Sequence, residues 1–155
     1  MNVGDLLSDD AVGLRGGLAS KRQALHVVAD VAARAFGLPE GRLLEALMER
    51  EALGSTGLGS GVAVPHARID GLSRVTGIFI RLDAAITWGA VDDQPVDLLF
   101  ALFAPPSDGA EHLRALAAVS RALRSAEMRE QLRRARTTDA VRALFVSDRR
   151  PATAA

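Results

Sequence analysis

Histidine is the side chain whose ordinary pKa lets it serve as a nucleophile, base or metal ligand near neutral pH. This chain holds three: His26, His66 and His112. His66 has the most distinctive setting. It closes the stretch GLGSGVAVPH, in which glycines at 57, 59 and 61 lead into the alternation Val62, Ala63, Val64 and then Pro65. Pro65 fixes its own φ and restricts Val64, so the backbone that delivers this imidazole is stiff. The residue reads either as a partly exposed loop histidine or as a nucleophile or general base.

The preceding run GSTGLGSG has two readings as well. It is either a tight hairpin that needs positive φ or a turn that presents backbone N–H groups to a phosphate. It is not a Walker A loop, because no Lys-Ser/Thr pair follows the glycines. It is not a dinucleotide fingerprint, because the spacing is wrong and a strand follows where a helix is required.

His112 lies at the start of a predicted helix, after PPSDGAE. A helix N-terminus favours anions through its free N–H groups and its dipole. The same position also suits an ordinary first-turn polar residue. His26 has Arg22 and Asp30 four residues to either side and belongs to a solvated helix face. With no cysteine, disulfides, thiolate metal sites and a thiol nucleophile are excluded. The histidines are isolated and no HExxH or GxSxG occurs, so neither a metal site nor a serine hydrolase is expected.

Helices and strands must bring such residues together. Ser20, followed three residues later by Gln23, is a capping-box pattern. Leu25, Val28, Ala29, Ala32, Ala35 and Phe36 then recur at helical spacing, and Gly37 ends the helix. Pro39 opens a second helix with the stripe Leu43, Leu44, Leu47, Met48 and a stop at Gly54. The period then changes. Residues 54–61 read as turn, 62–64, 75–82 and 86–91 as strands, and VDLLFALF at 96–103 as a strand buried on both faces. Helices are predicted over 111–123 and 127–134, and a last one capped by Thr138 buries Val141, Leu144 and Phe145.

This order predicts a single-domain α/β fold, a mixed β-sheet flanked by helices. Residues 1–18 read as a loosely ordered N-terminal segment, 19–146 as the domain and 147–155 as a frayed tail. The length of 155 residues and the 48% apolar content suit one domain with a real core. The formal net charge is zero, so no bulk field argues for nucleic acid or an anionic membrane. Lys21 is the only lysine beside eighteen arginines, which reads as base-composition bias. Without a secretory signal or a stretch long enough for membrane insertion, a cytoplasmic location is expected.

Three stretches together resemble one family. EREALGSTGLGSGVAVPHARI at 49–69, QPVDLLFALFAP and EHLRALAAVSRAL are similar, in this order, to enzyme IIA of the bacterial phosphotransferase system, fructose/mannitol class. A chain without an attached transporter domain is most similar to the nitrogen-regulatory members. The resemblance spans about Asp5 to Phe145 and makes residues 19–146 an EIIA type-2 domain. It implies that His66 is phosphorylated by an HPr-like phosphodonor protein and that His112 is the second active-site histidine. Arg50 matches an arginine that the family places near the site, and Ser55 and Thr56 match the adjoining phosphate-binding turn. Ala67 departs from the glycine common after the Pro-His pair, and Arg68 stands where the family often has a basic or polar residue.

A neutral imidazole is a competent nucleophile, and phosphoryl transfer between protein nitrogens needs alignment and donors rather than magnesium or another cofactor. The implied role is that of a phosphocarrier in phosphotransferase regulation, acting on a regulated transporter or sensor kinase. Two alternatives stand beside it. One is a fructose/mannitol-type IIA that passes phosphoryl to a IIB domain for sugar uptake. The other is an interaction module of the same fold without phosphotransfer.

Overall fold

The computed structural model describes residues 1–107 and 109–147. A short 3-10 helix, Val3–Leu6, leads into β1 (Leu7–Arg15), and α1 (Lys21–Phe36) and α2 (Glu40–Leu53) follow. Four strands then come in quick succession: β2 (Gly57–Gly59), β3 (Val62–Ala63), β4 (His66–Arg68) and β5 (Thr76–Ile86). The chain ends with β6 (Val96–Ala104), α3 (Gly109–Leu123), α4 (Ala126–Arg134) and α5 (Thr138–Ser147). The fold is the expected α/β arrangement, one mixed sheet flanked by helices.

The sheet runs β1-β5-β6-β3-β2, with β4 also on β6. β1 is parallel to β5, β5 antiparallel to β6, and β3 and β4 parallel to β6. β6 is buried along its whole length apart from half-buried Asp97, as its continuous apolar run predicts. Successive side chains alternate faces. Phe103 meets Phe36 of α1 edge-on on one face. Phe100 meets Phe145 of α5 on the other, at 5.3 Å between ring centroids. The sheet is therefore sandwiched, with α1 and α2 on one side and α3 to α5 on the other. Gly77 on β5 makes room for the Phe100 ring, since a Cβ there would lie 2.6 Å from Phe100 Cε1.

Several local signals are realised. The Ser20 hydroxyl accepts from Gln23 N–H at 3.2 Å, and Gln23 Oε1 accepts from Ala19 N–H at 2.7 Å. Gly37 closes α1 in the left-handed region at φ 70°. Pro39 is the N-cap of α2 rather than its first helical residue. Thr137, not Thr138, caps α5, accepting from Ala140 N–H at 3.0 Å.

Four expectations are corrected. Residues 1–18 are not loosely held over most of their length. β1 pairs with β5 and buries Leu7 and Ala11, while Val3 and Leu6 enter the core. The expected strand at 86–91 is absent, because Ile86 ends β5 and the chain then leaves the sheet with Trp88 buried. Residues 57–59 form a strand within the expected turn. His66 does not follow the sheet but lies in it, on β4. The frayed tail expected over 147–155 lies, after Ser147, outside the described residues.

Candidate functional site

β3 and β4 are one strand interrupted by a proline. Val62 faces Leu98 and His66 faces Leu102, so the register along β6 is the same on both sides of the break. Pro65 has no N–H to donate, yet its carbonyl accepts from Leu102 N–H at 2.9 Å and keeps the chain on the sheet. The glycine hairpin holds the other flank. Ser60 and Gly61 turn at φ 57° and 80°, and Val64 N–H donates to Thr56 O at 3.0 Å. His66 shares its face with Leu102 and Phe100, the face covered by α3, and there it meets His112.

The two imidazoles stand edge to face, 5.4 Å between centroids and 81° between planes. His66 Nδ1 lies 2.9 Å from the Val64 carbonyl, and Arg50 Nε lies 3.2 Å from His66 Nε2. A carbonyl can only accept and a guanidinium can only donate. The proton of the neutral ring is therefore on Nδ1, and the lone pair is on Nε2. Arg50 itself is held at the end of α2, where its Nη1 donates to Gly54 O at 2.9 Å.

Their surroundings disfavour the charged form of both rings. Burial pushes His66 below the ordinary value of 6.5, and the bond to the Val64 carbonyl opposes this. Arg50 adds to the lowering, while Glu51 works against it. His112 is lowered by burial first, then by His66 and by Arg68. The residue is 6% exposed, and its Nε2 has no hydrogen-bond partner among the described residues.

His66, His112, Arg50 and Arg68 share a cavity of about 760 Å³ with Leu53 and Leu113. Leu53 is 85% exposed and Leu113 68%, so apolar side chains stand open at this cavity beside its basic groups and two imidazoles. Arg68 also donates to Pro106 O at 3.2 Å, tying β4 to the loop before α3.

Ser55 and Thr56 do not line this cavity. Ser55 Oγ accepts from Gly57 N–H at 3.1 Å. The Thr56 hydroxyl donates to Glu51, and Thr56 N–H donates to the same carboxylate. At the hairpin tip, Ser60 N–H donates to Asp92 and Ser60 O accepts from Arg133. The glycine run is thus the tight hairpin of the two readings. His26 is exposed on α1, as its flanking charges predicted. Among the described residues no cluster of three or more metal-ligating side chains occurs.

Sequence reasoning missed Glu51 and Lys21. Lys21 Nζ lies 2.7 Å from Glu51 Oε2, donates to Trp88 O at 3.2 Å and sits 4.9 Å from the Trp88 ring centroid. That the chain has a single lysine was the one available signal, and nothing in the sequence says where it points.

A strand-borne imidazole beside a second imidazole and two guanidiniums offers a nucleophilic nitrogen and donors suited to an anionic group. Comparison with known proteins supplies the class. Residues 5–147 match the family described as "Phosphoenolpyruvate-dependent sugar phosphotransferase system, EIIA 2". The chain is 41% identical over 155 residues to a "Nitrogen regulatory protein" of Bradyrhizobium diazoefficiens, covering all of both chains. It is 37% identical over 124 residues to a "PTS system fructose-specific EIIA component" of Haloferax volcanii, covering 79% of this chain and 80% of that one. The crystal structure of nitrogen regulatory protein IIA-Ntr from Neisseria meningitidis superposes with a TM-score of 0.85 at 33% identity, over 92% of this chain and 98% of that one. The chain belongs to the EIIA type-2 family of the phosphotransferase system, a family of phosphotransfer carriers. Among the described residues no helix is long and apolar enough to cross a membrane.

Proposed function

We propose that this protein is a nitrogen-type IIA phosphocarrier that accepts a phosphoryl group on His66 from an HPr-like phosphohistidine protein. The supporting observation is the state of His66: Nδ1 is committed to the Val64 carbonyl, and the Nε2 lone pair lies on the cavity side beside Arg50. The Nε2 lone pair attacks phosphorus while the donor's P–N bond breaks. That electron pair returns to the donor nitrogen, and the Nδ1 proton stays where it is. No base is consumed, because each ring keeps one proton. Charge on the equatorial oxygens is met by Arg50, which turns from Nε2 to the phosphoryl group, and by His112. Ser55 and Thr56 act through the shape of the turn.

The regulatory branch is supported by the full-length likeness to proteins named for nitrogen regulation. Its outlet is a regulated transporter or a sensor kinase in the cytoplasm. The likeness to a fructose-specific component favours a second reading, in which phosphoryl passes on to a IIB domain. Incubation with phosphorylated HPr-type donor, followed by intact-mass measurement, tests the common core. A phosphate-sized gain that vanishes in His66→Ala is expected. No gain in the unaltered protein sinks the proposal. Adding a IIB-type domain then separates the branches: the regulatory reading expects phosphoryl to remain on this chain.

A further inference from the structure

The two partners of His66 reach it from different elements. Arg50 comes from the end of α2, and the Val64 carbonyl comes from the β3–β4 strand. Both lead back to one buried carboxylate. Glu51 is next to Arg50 in the chain, and its side chain is 6% exposed. It accepts from the Thr56 hydroxyl, from Thr56 N–H at 3.3 Å and from Lys21 Nζ at 2.7 Å. Thr56 is itself only 5% exposed, and its carbonyl accepts from Val64 N–H at 3.0 Å. The Val64 carbonyl in turn accepts from His66 Nδ1–H. A closed ring results: Arg50, Glu51, Thr56, Val64, His66 and back to Arg50.

We propose that Glu51 is a positioning residue for phosphoryl transfer: acting through Thr56, it fixes the Nδ1–H tautomer of His66 and the place of Arg50. The claim rests on the phosphocarrier reading of His66 and adds how that nitrogen is selected. A buried carboxylate needs a partner and satisfied oxygens, and here Lys21 and Thr56 supply both. The links run through side chains and separate peptide groups, so loss of one member acts on the rest by displacing the turn and the strand that carry them. Gly54, whose carbonyl holds Arg50, lies in the turn at residues 54–56, which is tied to α2 by Thr56 on the Glu51 carboxylate and by Gly54 N–H on the Glu51 carbonyl at 3.2 Å. Thr56 therefore acts on His66 from outside the cavity.

The test uses the full chain with labelled histidine. Nitrogen chemical shifts report the His66 tautomer in the unphosphorylated protein, and transfer from phosphorylated HPr-type donor gives the rate. In the unaltered protein the Nδ1–H form dominates. Glu51→Gln and Thr56→Val are expected to give a mixture of tautomers and about a tenfold slower transfer, the scale of a small misplacement of reacting groups. Thr56→Ser restores the hydroxyl and is expected to recover both. Circular dichroism confirms folding, and if Glu51→Gln does not fold, the two Thr56 variants decide. Folded variants with the unaltered tautomer and rate overturn the proposal. Slower transfer with the tautomer unchanged overturns the claim that Glu51 selects the reacting nitrogen. If the unaltered protein takes no phosphoryl group, the phosphocarrier reading fails, and the tautomer comparison still decides the role of Glu51.

Discussion

Arg50 Nε lies 3.2 Å from His66 Nε2, so the guanidinium covers the nitrogen that the Val64 carbonyl leaves free. The arginine thus holds the lone pair in the resting site and is the nearest cation when a phosphoryl group arrives. Lysine keeps the charge but loses the planar fork and its Nε donor. Arg50→Lys is expected to slow transfer about ten- to hundredfold, the scale of losing one aligned donor. Arg50→Met is expected to be slower still. Quenched time courses with phosphorylated donor measure both.

Burial lowers His66 and His112 below the ordinary 6.5, with unequal help from neighbouring cations. The folded protein therefore binds fewer protons than the unfolded chain in the interval between the lowered values and 6.5. Stability from these two groups is fully present above 6.5 and is lost as the pH falls through the lowered values. The acid limb of the transfer rate should also lie below 6.5, because the nucleophile is the neutral ring. Ring-proton NMR titration of the two histidines and chemical denaturation at stepped pH check both statements. An acid limb at or above 6.5 contradicts them.

His112 lines the cavity beside His66, buried and with no hydrogen-bond partner for its Nε2 among the described residues. His112→Ala is expected to slow transfer about tenfold or more. It should cost about 2 kcal/mol of stability through the lost packing. The protein stays folded by circular dichroism, and His66 is still labelled at long times.

Gly77 offers a packing control: it lies across β6 from His66, on the other side of Leu102, and brings no polar side chain. A methyl group there meets the Phe100 ring at 2.6 Å, in a core where Phe79, Phe100 and Phe145 interlock. Gly77→Ala is expected to destabilise by about 1–3 kcal/mol. Urea unfolding measures the loss, and the tautomer of His66 should not change.

What could be read from the sequence was what is locally encoded. Ser20, Gln23 and Gly37 bound α1 through contacts within a few residues, and the VDLLFALF run announces a strand covered on both faces. β1 was not legible, because its exposed Ser8, Asp9 and Asp10 break the alternation and its partner β5 comes some seventy residues later. β4 was hidden for a related reason. Three residues after a proline carry no strand pattern of their own, and only pairing with β6 makes them one. At the site, the pairing of His66 with His112 followed from the family resemblance rather than from spacing. The glycine run allows a phosphate cradle or a hairpin, composition favours the hairpin, and the contacts that hold it come from Asp92, Arg133 and Glu51, which sequence cannot place in space. Glu51 shares no helix face with Arg50, so no periodic pattern links them.

The most direct measurement is nitrogen-resolved NMR of the histidine-labelled protein after treatment with phosphorylated HPr-type donor. The account predicts phosphorus coupled to Nε2 of His66, with Nδ1 still protonated. Phosphorus on Nδ1, on another residue or on none contradicts it.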